Sequence, residues 1–157
     1  MDVKYLAKAG MIAAIYVILV LLQVPIPWLA SGPFQIRIAE GLVLLPRVEK
    51  AAIPGVFVGC LLANFILSFV LNFGLLDIVG GSLVTLVSAY LTRKISNKFL
   101  SVLPPILLNG FIVSAWVSYF AEWPYWFTVL GITLGEAVSV ILLGNIVLYG
   151  YKRIGKK

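Results

Sequence analysis

Eleven of the twelve Lys and Arg residues of this chain flank long apolar segments, a placement that suits helix ends at a membrane surface rather than a water-soluble core. Cytoplasmic excess of Lys and Arg is the rule that orients membrane helices. A soluble domain is about half apolar and about a quarter charged, whereas this chain is 62% hydrophobic and 11% charged, with a mean hydropathy of +1.08. One spanning helix needs about 20 apolar residues, so 157 residues allow about six spans with tight connections and no soluble domain. The expected fold is therefore an all-α integral membrane protein, a six-transmembrane-helix bundle forming one domain over residues 1–157.

Proline, glycine and charge mark the breaks. Helices are predicted over 5–22, 34–45, 54–71, 76–92, 105–121 and 126–151. Between the first two lie Pro25, Pro27, Gly32 and Pro33, and the second stops at Pro46. Pro54 suits a first helical turn. Placing both termini in the cytoplasm puts eleven basic residues inside and only Arg37 outside. The second helix is short: about 12 residues at ~1.5 Å each reach ~18 Å of a ~30 Å core. A re-entrant segment there would leave five spans, with ten basic residues inside and two outside, and charge alone barely separates the two topologies. Lys4 and Lys8 ahead of an apolar run imitate a signal peptide, but no clean A-x-A site follows and cleavage is not expected.

Composition also narrows the chemistry. There is no His, which removes the commonest general base and metal ligand. Cys60 stands alone, so no internal disulfide forms. No G-x-x-x-x-G-K-[ST] run cradles a phosphate. A net charge of +6 confined to helix ends reads as membrane orientation, not as affinity for nucleic acid. Neither enzyme, cofactor nor metal site is expected.

Helices in lipid associate through small residues that permit close packing. Ala9 and Ala13, and Gly10 and Ala14, stand at four-residue spacing on the first helix. Gly55, Gly59 and Ala63 do so on the third, and Gly81, Thr85, Ser88 and Thr92 share a face of the fourth. Internal packing and, for the first helix, docking of another membrane subunit both remain open.

An ionisable group inside a bilayer costs ~2.5–3.5 kcal/mol on insertion scales and marks a functional candidate. Arg37 and Glu40, spaced i, i+3, can pair. Asp77 opens the fourth helix and would also serve as its cap. Glu122 lies at the outer end of the fifth helix. Glu136, about ten residues into the last, is the sharpest candidate. Asn64 lies toward the outer half and is a ligand candidate, whereas Asn109 and Asn145 lie where a bond to another helix is expected. Trp116, Tyr119, Trp123, Tyr125 and Trp126 form an aromatic group at the outer connection. They suit an interfacial belt or a flat heterocyclic ligand. Several carboxylates, one Arg and many aromatic faces describe a pocket for a small planar molecule rich in hydrogen-bond donors.

The stretches that carry these residues resemble a known family. Phe34-Gln35-Ile36-Arg37-Ile38-Ala39-Glu40-Gly41-Leu42 with Leu45-Pro46 is similar to the signature of the QueT family, as are Ala51-Ala52-Ile53-Pro54-Gly55 through Cys60 to Asn64 and Gly74-Leu75-Leu76-Asp77 through Leu83. The resemblance is densest over 34–94. Mild departures at Ala39, Gly41 and Gly80 bear on fine substrate choice.

That family comprises substrate-binding S components of energy-coupling factor (ECF) transporters for queuosine precursors. The resemblance implies a multi-pass cell-membrane protein with both termini cytoplasmic, and a lid from Gln23 to Pro33 over an outward pocket. It implies contact of Ala9 and Ala13 with a membrane T component, and two ATPase subunits that power the cycle. For a 7-deazaguanine such as preQ0 or preQ1, one carboxylate would accept two parallel donors of the guanine-like edge. Glu136 and Asp77, with Glu40 or Glu122, would fill the acidic roles, and Trp116, Tyr119 or Trp123 would stack the ring. Another vitamin or a pyrimidine on the same architecture, a membrane enzyme acting on lipids and a structural scaffold are the alternatives.

Overall fold

The computed structural model describes residues 2–26, 34–69 and 74–154. The lid expectation over 27–33, the end of the third predicted helix at 71 and the basic tail at Lys156 and Lys157 lie outside the described residues. Among the described residues the regular structure is entirely helical, in six stretches. These are α1 (Val3–Gln23), α2 (Ile38–Arg47), α3 (Ala52–Leu67), α4 (Leu76–Gly81 running into Ser82–Lys94), α5 (Leu100–Ala121) and α6 (Tyr125–Ile154). Three of them, α1, α5 and α6, are long and apolar enough to cross a membrane, and α3 is a shorter apolar helix.

Solvation is inverted relative to a soluble protein. Leu6, Met11, Ile18, Leu62, Phe65, Leu130 and Ile146 are exposed, while Glu40, Asn64, Thr85, Asn109 and Glu136 are buried. An apolar skin of this extent belongs against lipid.

The small residues serve internal packing. A Cβ at Gly59 would come within 2.6 Å of the Tyr16 Cβ, and one at Gly55 within 2.9 Å of the Ala9 carbonyl oxygen. Thus α1 and α3 pack nearly backbone to backbone. Ala13 is buried in this contact and its carbonyl faces Gly59. The Ala9–Ala13 face expected to meet another subunit is therefore turned into the bundle. Gly10 and Ala14, one residue further round, are the exposed small pair. Along α4, Thr85 donates to the Cys60 sulfur and Thr92 to the Ser101 carbonyl, so the small polar face joins α3 and α5.

The second helix differs from expectation. Residues 34–37 are not helical, and Ile38–Arg47 is a 3-10 helix that includes Pro46. Gln23 accounts for the late start: its amide nitrogen donates to the Ile36 carbonyl at 2.5 Å, and its oxygen accepts from the Ile38 N–H at 2.7 Å. Both backbone groups are thereby taken out of any helix. Ten residues at ~2.0 Å rise reach only ~20 Å, and Ala39 through Pro46 are buried, so α2 is an interior strut.

Three π turns interrupt the long helices, at Leu76–Gly81, Asn109–Val113 and Ser139–Leu143. At each, a polar side chain takes the carbonyl four residues back: Ser82 that of Ile78, Asn109 that of Pro105 and Ser139 that of Gly135. Such back-bonding competes with the backbone ladder and bends helices.

The basic ends converge. Glu49 accepts from the Lys8 ammonium at 2.5 Å and from the Tyr151 hydroxyl at 2.6 Å, tying α1 and α6 to the α2–α3 turn. Arg93 donates to the Pro46 carbonyl at 2.7 Å.

Candidate ligand-binding site

Because Gln23 holds residues 36–38 extended, Arg37 projects from non-helical backbone just ahead of α2. Its Nε lies 4.0 Å from Glu40 Oε1, the i, i+3 pair expected, and its Nη2 donates to Asn64 Oδ1 at 3.3 Å. Glu40 Oε1 also accepts from the Tyr16 hydroxyl at 2.5 Å. Glu40 is fully buried, and its Oε2 has no hydrogen-bond partner among the described residues. A buried acceptor left open in this way costs ~1–3 kcal/mol or more when charged, so it calls for an explanation.

The network extends across three more helices. Asn64 donates to the Asp77 backbone carbonyl at 2.8 Å. Asp77 does not cap α4; its Oδ1 accepts from the Trp116 indole N–H at 3.1 Å. The Trp116 ring also lies against Gly80, where a Cβ would come within 3.3 Å of it. Trp116 is thereby held by a hydrogen bond at one edge and van der Waals contact at the other.

Glu136 is buried on α6 and accepts from Asn109 Nδ2 at 3.2 Å. Its charged neighbours are Glu40 and Arg37, so it belongs to the same cluster. The extended segment carrying Arg37 reaches α6 at Gly135, where a Cβ would stand 2.0 Å from the Gln35 carbonyl oxygen. Only glycine allows that crossing, one residue from Glu136. Gln35 Nε2 and Thr133 Oγ1 are further buried polar atoms with no partner among the described residues.

Among the described residues, Glu40, Asp77 and Glu136 thus face Arg37 as the one cation drawn into the cluster. Excess acid, an open carboxylate oxygen and an edge-anchored indole suit a planar ligand presenting N–H donors or a positive charge. The described residues hold no grouping of His, Cys, Asp and Glu fit for a metal.

Other candidates stand apart. Tyr119 is 78% exposed, and Glu122 is exposed at the end of α5 in the left-handed conformation, φ 55°. Trp123 is half-buried beside it, its backbone N–H donating to the Ser118 carbonyl. None of the three bonds to the cluster. Tyr16 and Gln35 are the members that sequence reasoning missed. A lone tyrosine in an apolar helix carried no signal, and Gln35 was passed over beside Arg37. Asn109 was expected to bind another helix, and it does so through Glu136 itself.

The sequence model of the family described as QueT transporter matches residues 6–153. The chain is 26% identical over 147 residues to the queuosine precursor transporter QueT of Lactococcus lactis subsp. cremoris (strain MG1363), covering 85% of this chain and 83% of that protein. No solved structure matches.

Proposed function

The chain belongs to the QueT transporter family, and from that premise we propose that it is the substrate-binding subunit of an ATP-driven ECF importer, taking up a queuosine precursor of the 7-deazaguanine class. As a member of that family it is a membrane transporter and not an enzyme. The observation that carries the ligand reading is the unpartnered, buried Glu40 Oε2.

A guanine-like edge presents N1–H and an exocyclic amine, two donors that a carboxylate accepts in a charge-assisted pair. Glu40 and Glu136 are the acceptors available, and Gln35 Nε2, buried without a partner among the described residues, is a donor free to serve a ring carbonyl. An aminomethyl precursor brings an ammonium, which the excess of carboxylate over guanidinium accommodates. Trp116, fixed by Asp77, offers a face for the ring. Arg37 and Asn64 hold the carboxylates in register.

The same reading places all six helices in the membrane region with both termini cytoplasmic, in accord with the basic ends gathered by Glu49. A T component and two ATPase subunits supply the energy. The exposed Gly10 and Ala14 on α1 provide the small-residue face for such a partner.

Calorimetric titration of detergent-purified protein with preQ0, preQ1 and guanine tests the ligand. Binding of a 7-deazaguanine in preference to guanine is expected, and Glu136→Gln is expected to weaken it by about 10-fold or more, as loss of a charge-assisted bond implies. Unchanged affinity in that variant removes Glu136 from the site. Co-purification with an ATPase pair tests the coupling.

A further inference from the structure

At the basic end of the bundle a cavity of about 690 Å³ opens between the end of α2, the α4–α5 connection and the last turns of α6. Arg47, Lys98 and Lys152 supply three cations, and Phe99, Ile141 and Leu148 an apolar wall. Among the described residues none lining it is acidic. Among the described residues none of the three cations is in an ion pair, in contrast to Lys8 at the neighbouring basic groove, which Glu49 neutralises. The apolar wall runs out onto the skin of the bundle, with Phe99 73% and Ile141 44% exposed.

We infer that this cavity binds the headgroup of an acidic phospholipid, with the acyl chains lying along Phe99 and Ile141. Three observations converge on that occupant. Unpaired cations facing one space attract an anion. Their position at the helix ends sets them at headgroup depth, where basic pockets between spanning helices take anionic lipids. The wall beside them is apolar and continuous with the lipid-facing surface, which a soluble phosphate would leave unused. Lys98 further lies over the Phe99 ring, 4.9 Å from its centroid. The cation is thereby held where apolar wall and charge meet. The inference requires only that the chain is membrane-embedded and stands apart from the transported ligand.

Native mass spectrometry of detergent-purified protein titrated with phosphatidylglycerol provides the test, with phosphatidylcholine of the same chains and inorganic phosphate as comparison arms. Phosphatidylglycerol adducts are expected to exceed phosphatidylcholine adducts by about tenfold or more. Removing one cation is expected to lower that binding about fivefold, equivalent to ~1 kcal/mol, so Lys98→Gln with Lys152→Gln lowers it by more than about tenfold. Lys98→Arg with Lys152→Arg retains binding, which separates lost charge from lost fold. Lys4→Gln with Lys50→Gln, at the neighbouring groove, leaves it within about twofold. Equal uptake of phosphatidylcholine, unchanged binding in the Lys98/Lys152 Gln variant, an equal loss in the Lys4/Lys50 variant, or full displacement by millimolar phosphate would each overturn the assignment.

Discussion

Tyr16→Phe deletes one oxygen from a side chain with no exposed surface and leaves its packing volume almost unchanged. The effect is then polar, and it falls on Glu40. With the hydroxyl gone, Oε1 keeps only the Arg37 Nε at 4.0 Å, beyond hydrogen-bond range, and Oε2 has no partner among the described residues. Stripping the donor from a buried acceptor costs ~1–3 kcal/mol in soluble proteins. Interhelical hydrogen bonds in membrane bundles average only ~0.6 and reach ~1.7 kcal/mol. The other donor beside Glu40, Arg37 Nε at 4.0 Å, lies beyond hydrogen-bond range, so the loss belongs near that upper end, ~1.5 kcal/mol. At roughly 2–4 °C per kcal/mol for a chain of this size, the melt drops about 3–6 °C. The cycle with Glu40→Gln isolates the cause. A neutral amide makes a smaller demand on the phenol, so removing the hydroxyl in that background costs less. The two substitutions are therefore expected to couple by ~1 kcal/mol in thermal melts run in one detergent. Additivity within ~0.5 kcal/mol, or a Tyr16→Phe melt matching the parent, refutes the claim that Tyr16 serves the carboxylate.

Two further outcomes follow from the packing and the basic end. Gly59→Ala drives a Cβ to 2.6 Å from the Tyr16 Cβ and is expected to destabilise by ~1–3 kcal/mol through overpacking; Gly10→Ala, with nothing within 4 Å, is expected to be neutral or to stabilise by up to ~1 kcal/mol through helix propensity. Comparing the two melts checks this. Glu49 is pulled from 4.5 to about 2, first by the Lys8 ammonium and then by the Tyr151 hydroxyl. A carboxyl lowered on folding contributes stability that is present above its unfolded value and is lost as pH falls through its folded one. Melting temperature should therefore fall as pH drops from about 4.5 toward 2, and Glu49→Gln should flatten the profile over that window; an identical slope in that variant would show that other groups carry the acid sensitivity.

Much of the helical order is legible from length and punctuation alone. The sequence reading of 5–22 is observed as Val3–Gln23, and that of 126–151 as Tyr125–Ile154. Long apolar runs have one hydrogen-bonding solution in lipid, so their state follows from composition. The second helix was misread because its start depends on Gln23, fifteen residues before Ile38, whose side chain occupies the backbone groups a helix would need. Pro46 marks a stop by sequence, yet it falls inside the 3-10 helix Ile38–Arg47. The π turns escaped for a related reason: Ser82, Asn109 and Ser139 are unremarkable letters until their side chains take an i−4 carbonyl. Within the candidate site, Arg37, Glu40, Asp77, Asn64 and Glu136 stand out in the sequence because polar groups are costly in lipid, and Trp116 because it belongs to the aromatic group at the outer connection. Glu122 stands out in the sequence on the same ground, and Tyr119 and Trp123 as part of the outer aromatic group, yet none of the three bonds to the cluster, and Glu122 ends α5 in a left-handed turn.

The sequence by itself determined that this chain lives in a membrane and which polar residues are out of place there. Both follow from transfer free energy, a property of each side chain summed along the chain. Which of those residues meet was decided by tertiary structure alone. Gly55, Gly59 and Gly135 set how closely backbones approach, and that closeness lets the Tyr16 hydroxyl reach Glu40 and lets Gln35 cross beside Glu136. Hydrogen bonds lose their value within a few tenths of an ångström, a scale on which only the assembled bundle has an answer.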